Sequence, residues 1–305
     1  MPPLLWTSLT ALVLIWCLVR LALFRRAVIG TTLQPAIAWG MVANIVWLAW
    51  SVGVSVALAQ TDNRWVGELT HLAYVAAVLS LCPSMLVLGA RRPTNRAWTG
   101  FVIAPMIAVL CWPVITLALH GGWHRPLQLE TPHLIAYLFV VVMSLGNYVG
   151  GSLTLSTLLC GAGLATIGVS SAQRASAWED LACVMTFALM VLSVGVLAGL
   201  RRLRKATWPP EPLDRVWQEF STLYGLVWSR RVLDRVNAIA EKQQWPGRLH
   251  ADGFHWDRPL NDATQQQVEH ALRWLLRRFV DPVWLDARLG HAAETGEAVS
   301  LSIDT

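Results

Sequence analysis

Between Leu4 and Leu200 the apolar residues come in long unbroken blocks, and neither the two-residue alternation of a half-buried strand nor a one-sided helical stripe dominates. About 20 consecutive apolar residues carry a helix across the hydrocarbon core of a bilayer. The blocks predict seven such helices, near residues 4–24, 35–59, 66–90, 97–119, 131–148, 152–170 and 177–200. Gly150 and Gly151 leave little room for a connection between the fifth and sixth, so a re-entrant pair there is an alternative. After Leu200 the pattern turns amphipathic. Leu213, Val216, Trp217, Phe220, Leu223 and Val227 recur at helical spacing, and Val232, Val236 and Ile239 continue it after a break or bend near Gly225, up to a stop at Trp245-Pro246-Gly247.

Asp252-Gly253 is a type I′ turn signal and predicts a hairpin over 248–256, pairing Ala251 with Phe254, His250 with His255 and Leu249 with Trp256. Asp262 is expected to cap a helix running to about Val280, with Val268, Leu272, Leu275, Leu276 and Phe279 inward. Asp281-Pro282 starts a last short helix that Gly290 ends. The expected fold is mainly α: a seven-helix transmembrane bundle over 1–207, a small helical domain with one β-hairpin over 208–290, and a frayed tail over 291–305.

Composition supports lipid as the main solvent, since only 14% of residues are charged where soluble domains carry roughly 25%. Charge also sets an orientation, because cytoplasmic connections are enriched in Arg and Lys while acids matter little. Arg25 and Arg26 follow the first helix, Arg91, Arg92 and Arg96 the third, and Arg201, Arg202, Arg204 and Lys205 the seventh. These connections share one side, which places the N-terminus outside and the C-terminal domain in the cytoplasm. Asp62, Glu68, Glu130, Glu179 and Asp180 all fall on the other side. Trp6, Trp65, Trp123 and Trp178 then form an outer aromatic belt, with Trp39 and Trp98 on the inner one. Met1-Pro2-Pro3 carries no basic residue ahead of the first block, so that block reads as a retained anchor. Cys17, Cys82, Cys111, Cys160 and Cys183 all lie in apolar runs, as packing residues do.

Several chemistries drop out. Residues 1–200 contain no lysine, so no retinal Schiff base is available there. Every acid of that region falls near a predicted helix end, not at mid-bilayer where proton-coupled carriers place one. Phosphate-loop, HExxH and CxxC motifs are missing. Gly168-Val169-Ser170 is a poor intramembrane nucleophile, because the seventh helix has no histidine to serve it. The tail is nearly neutral, fifteen bases against fourteen acids from Arg201 to Thr305, so nucleic acid is not an expected partner.

The residues that remain are few. Glu68 and His71 share a helix face at i,i+3, and His120, His124 and His133 flank the fourth connection on the same side. An acid and four histidines there could hold a metal, or haem if two converge, although no cofactor is required. His250 and His255 could share a metal across the hairpin, but two ligands are an incomplete site. Trp16, Trp47, Trp50 and Trp112, with Asn44 and Asn147, could line a pocket; buried core is the plainer role. Gly195 and Gly199 form a GxxxG step, and Gly161, Ala165 and Gly168 a small-residue stripe, both expected as helix-packing seams. Pro83, Pro105 and Pro113 are expected to bend the third and fourth helices.

The segments Leu213-Asp214-Arg215-Val216-Trp217, Gly225-Leu226-Val227-Trp228, Leu275 to Val280 and Trp284 to Gly290, with Gly89-Ala90-Arg91-Arg92-Pro93 followed by Trp98, resemble a bacterial family of hypothetical membrane proteins. That resemblance implies a bacterial cytoplasmic membrane and one continuous architecture, and it brings no site residues. Three function classes stay open. The first is a non-enzymatic scaffold or accessory subunit that docks a protein partner through the tail, which holds seven tryptophans. The second is a carrier or channel for a small or lipid-like solute. The third is a haem or metal protein using the outer histidines. Nothing in the pattern sets an oligomeric state.

Overall fold

The computed structural model describes residues 3–60, 65–93, 95–173 and 177–290. Asp62, Arg64, Arg174 and the 291–305 tail lie outside the described residues, as does the side chain of Arg96. The chain is mainly helical and divides into two compact units.

The first unit holds the apolar helices α1 (Pro3–Ala27), α2 (Gln34–Gln60), α3 (Val66–Leu88), α4 (Asn95–Trp98), α5 (Ala104–Leu110), α6 (Trp112–Leu119), α7 (Thr131–Gly146), α8 (Thr154–Ala172) and α9 (Trp178–Arg204). Five of these, α1, α2, α3, α8 and α9, are long and apolar enough to cross a membrane, as in a multi-pass protein. Where the fourth span is expected, the helix is broken. Pro105 has no N–H for the Phe101 carbonyl, and Thr99–Ile103 widens into a π-helical turn ahead of α5. At Cys111, just before Pro113, the path bends by 57° into α6. The Tyr74 hydroxyl donates to the Leu110 carbonyl at that break, 3.0 Å away, which supplies a partner that helix geometry no longer provides. Pro83, by contrast, sits inside an uninterrupted α3. The expected fifth span, α7, has 16 helical residues, about 24 Å of rise and short of a full crossing by itself.

Small residues decide where these helices touch. A Cβ on Gly163 would lie 2.7 Å from the Ala188 carbonyl oxygen, and one on Gly195 would lie 2.8 Å from Cys160 Sγ. Gly199 meets Ser156 Oγ at 2.7 Å in the same sense. The α8 and α9 backbones thus approach through Ser156, Cys160 and Gly163 on one side and Gly195 and Gly199 on the other. Gly168 turns instead to α7, where the Tyr137 ring fills the space its side chain would need. Gly161 makes only an ordinary contact with Leu145, and Ala165 is half-buried, so the seam on α8 runs through Gly163 and not along the expected stripe.

The second unit comprises α10 (Pro212–Gln243), β1 (Gly247–Leu249), β2 (Phe254–Trp256), α11 (Asp262–Leu276) and α12 (Pro282–Leu289), together with the loop segments Gly30–Thr32 and Ala90–Pro93. Gly225 interrupts α10 with φ 74° and ψ −173°, a conformation costly for any residue with a Cβ. Trp217, Phe220, Tyr224, Trp228 and Phe279 build the core, with Phe220 and Tyr224 stacked at 4.7 Å and Phe279 edge-on to both. The two loop segments are stitched into it. Thr31 bridges Val280, the Thr32 N–H donates to the Phe279 carbonyl (2.9 Å), the Asp281 N–H to the Gly30 carbonyl (2.6 Å) and the Arg92 N–H to the Arg278 carbonyl (2.8 Å). Asp281 begins α12 without a side-chain cap, its carboxylate pairing with Arg92 at 2.6 Å.

Two expectations need correction in this unit. The hairpin register is Gly247 with Trp256, Arg248 with His255 and Leu249 with Phe254, two residues from the expected pairing, so His250 sits in a four-residue loop and not opposite His255. A shift of two preserves the faces, which is why Leu249 and Phe254 are still buried. Helix-borne polar groups set the register. Asn237 brackets Leu249, accepting its N–H and donating to its carbonyl, both at 2.8 Å, and Asp214 accepts the Phe254 N–H at 2.7 Å. Helix α11 is capped by Asn261, whose Oδ1 accepts from the Thr264 N–H at 2.8 Å, and Asp262 is its first residue.

Candidate functional site

Of the acid and histidines singled out from the sequence, Glu68 and His71 stand at the N-terminal end of α3, where the connection from α6 to α7 folds over it and brings His124. Gly67 permits the approach, since a Cβ there would lie 2.3 Å from the backbone of His124. Thr70 Oγ1 accepts the Leu127 N–H (2.9 Å) and donates to the Gly67 carbonyl (2.7 Å), while the Leu129 N–H reaches the Ser171 carbonyl (2.9 Å). Leu127 and Leu129 are consequently buried. The connection is a lid packed on the bundle end, not a solvated strap.

Under this lid His71 is wholly buried, its ring stacked on Trp123 with centroids 4.9 Å apart. Neither ring nitrogen has a hydrogen-bond partner of good geometry, although the Trp123 and Arg125 carbonyls and the Glu68 carboxylate act on the ring electrostatically. Glu68 Oε1 and His124 Nδ1 meet at 2.5 Å, with His124 79% exposed, while Glu68 Oε2 is buried and unpartnered. His120 turns away to the Thr116 carbonyl of its own helix (2.7 Å), and His133 lies in the first turn of α7 with its Nδ1 buried and unpartnered. Glu68 and His124 are therefore brought together, with His71 one turn along the helix from Glu68. Among the described residues no three His, Cys, Asp or Glu side chains converge as a metal would need. What remains is a carboxylate–imidazole pair at an accessible edge, able to hold or pass a proton, above a dry imidazole.

The other candidates resolve into structure. Trp47 and Trp50 are buried edge-on at 5.6 Å, their indole N–H groups donating to Ser80 Oγ and the Leu69 carbonyl, both at 3.0 Å. Asn44 and Asn147 are also buried, whereas Trp16 and Trp112 are more than half exposed. His250 and His255 stack at 4.4 Å despite the changed register, and His255 Nε2 lies 3.1 Å from Asp252 Oδ2. The His255 partner and its own backbone N–H hold the exposed Asp252 carboxyl below its ordinary range, the backbone contribution being the larger. Arg25 and Arg26 end α1, Arg201, Arg202 and Arg204 end α9 with Lys205 following, and Arg91 is exposed beside Arg92.

Sequence reasoning missed two arrangements. Arg288 makes a double contact with Glu219, both bonds 2.6 Å, with side chains only 15% and 12% exposed, and lies 3.8 Å over the Trp284 ring. Arg273 bridges Glu269 and Asp286, and these carboxylates raise its pKa despite the opposing effect of burial. Glu269 to Arg273 at i,i+4 was a readable signal; the partners 69 positions apart were not. Comparison with protein-family models, curated proteins and solved structures finds no match to this chain.

Proposed function

We propose that this protein is a non-enzymatic scaffold or accessory subunit of a membrane complex in the bacterial cytoplasmic membrane, docking a protein partner through its C-terminal unit. The observation that carries this reading is the stitching of Gly30–Thr32 and Ala90–Pro93 into the fold of that unit. That unit thus takes in the connections that follow α1 and α3 as well as the chain after Lys205, which gives a docking platform more than one covalent link to the apolar helices. In this reading the arginine-bearing connections face the cytoplasm, the N-terminus faces outside, and α5 with α6, and α7, complete seven crossings. Copurification of full-length protein in mild detergent is expected to recover a stoichiometric protein partner, lost when surface residues of the C-terminal unit are replaced. Recovery of the chain alone from several mild extractions overturns the reading. Cysteine labelling from the periplasm is expected to modify position 122 and to spare position 91.

A second reading rests on the unpartnered polar atoms beneath the lid, the two nitrogens of His71 and Glu68 Oε2. Buried polar groups without partners are rare and often mark a bound water or ion. A metal or haem held there gives a stoichiometric metal content or a Soret band that His71→Ala removes, and metal-free, well-folded protein ends it.

A further inference from the structure

We propose that Trp274, Arg277 and Arg278 form a binding surface for the phosphate head groups of anionic phospholipids. The reading is independent of which protein the chain docks. Its first support is position. Arg91 and Arg92 follow Leu88, the last residue of the apolar helix α3, by three and four residues, no more than about 14 Å even if fully extended. The Arg92 N–H donates to the Arg278 carbonyl at 2.8 Å, which ties the end of α11 to this connection. A second tie agrees: Thr32, two residues before the start of α2, donates to the Phe279 carbonyl at 2.9 Å. The C-terminal end of α11 is thereby bonded to the connections that follow the apolar helices α1 and α3.

The second support is chemistry. Both guanidinium groups lie over the Trp274 ring, 5.6 Å for Arg277 and 5.9 Å for Arg278, and the ring is 38% exposed. Tryptophan prefers the membrane interface, and guanidinium offers a planar fork that matches phosphate. Among the described residues neither arginine has a carboxylate within ion-pair distance, whereas Arg92, Arg230, Arg273 and Arg288 all do. Two cations pre-positioned on an aromatic ring and left without anions suit a negatively charged surface better than a neutral one.

The test uses full-length protein in nanodiscs of phosphatidylcholine with or without phosphatidylglycerol, reading annular lipid enrichment by native mass spectrometry. Wild type is expected to retain phosphatidylglycerol over phosphatidylcholine, and Arg277→Gln/Arg278→Gln to lose on the order of twenty-fold of that preference, about five-fold per arginine. Arg277→Lys/Arg278→Lys should keep part of it, separating charge from folding. Replacement of Arg201, Arg202 and Arg204 by Gln should leave most of the preference in place. No preference in wild type, full retention in the double Gln variant, loss only in the Arg201 set, or displacement by millimolar inorganic phosphate beyond matched chloride each overturns the proposal.

Discussion

The closest contacts inside the two units are made by different means. Helices α8 and α9 meet through residues that have almost no side chain, Gly163 against the backbone at Ala188, and Gly195 and Gly199 against Cys160 and Ser156. The C-terminal unit closes instead on a five-ring aromatic core and on ion pairs such as Glu219 with Arg288. Solvent explains the contrast. Lipid tails are as apolar as leucine, so burying leucine against leucine gains little in a bilayer, and close backbone packing is what remains. In water the transfer of large rings from solvent is the main stabilising term.

The largest test of that contrast is Gly163→Val. The new side chain meets the Ala188 backbone, which cannot move aside cheaply, and a loss above about 4 kcal/mol or no folded protein is expected. Thermal unfolding in detergent checks it, and a variant within about 1 kcal/mol of wild type would remove the backbone seam from the account. Arg288→Met comes next. It strands Glu219 in a buried site, and about 3 kcal/mol should be lost from the C-terminal unit. The double variant Glu219→Leu/Arg288→Met should regain most of it, since an apolar pair replaces a buried charge.

Asp214→Ala leaves the Phe254 N–H without its acceptor and should cost about 1–3 kcal/mol, whereas Asp214→Asn keeps the oxygen. Burial holds the Asp214 carboxyl above its ordinary value, the Phe254 N–H opposing in part. A group raised in the folded state stabilises below its unfolded pKa and loses that contribution as pH rises through the folded one. Wild type should therefore lose stability relative to Asp214→Asn as pH rises from about 4. Equal pH profiles for the two proteins would show that this carboxyl titrates as in the unfolded chain. The smallest effect is expected from Arg92→Gln, at most about 1 kcal/mol, because the Arg92–Asp281 pair is 38% and 43% exposed. A loss of several kcal/mol there, read by the same melts, would mean that side-chain charge and not the backbone bonds to Gly30 and Arg278 joins the loops to the unit.

Much of the bundle was legible because its signal is local. Apolar blocks mark α1, α2, α3, α8 and α9 directly, and Gly225 and Asp281-Pro282 mark a break and a helix start without outside help. The candidate site was legible only in part. The i,i+3 spacing gave Glu68 and His71, but the inward fold of the next connection, which pairs Glu68 with His124 and seats Trp123 on His71, depends on Gly67 and Thr70 meeting a segment more than fifty residues away. Gly163 could have been found, since Ser156, Cys160, Gly163 and Ile167 repeat at helical spacing on one face.

By itself, then, the order of residues determined which long stretches are apolar helices and that the helix holding Pro105 and Pro113 is broken. Hydrophobic length and proline stereochemistry act over a few residues and need no partner. The hairpin register, the seam through Gly163, the lid over His71 and the inclusion of Gly30–Thr32 and Ala90–Pro93 in the C-terminal unit were decided only in three dimensions. Each depends on which distant atom satisfies a donor or fills a gap, as Asn237 does for Leu249 and Phe279 for Thr32, and a sequence carries no record of distance across the fold.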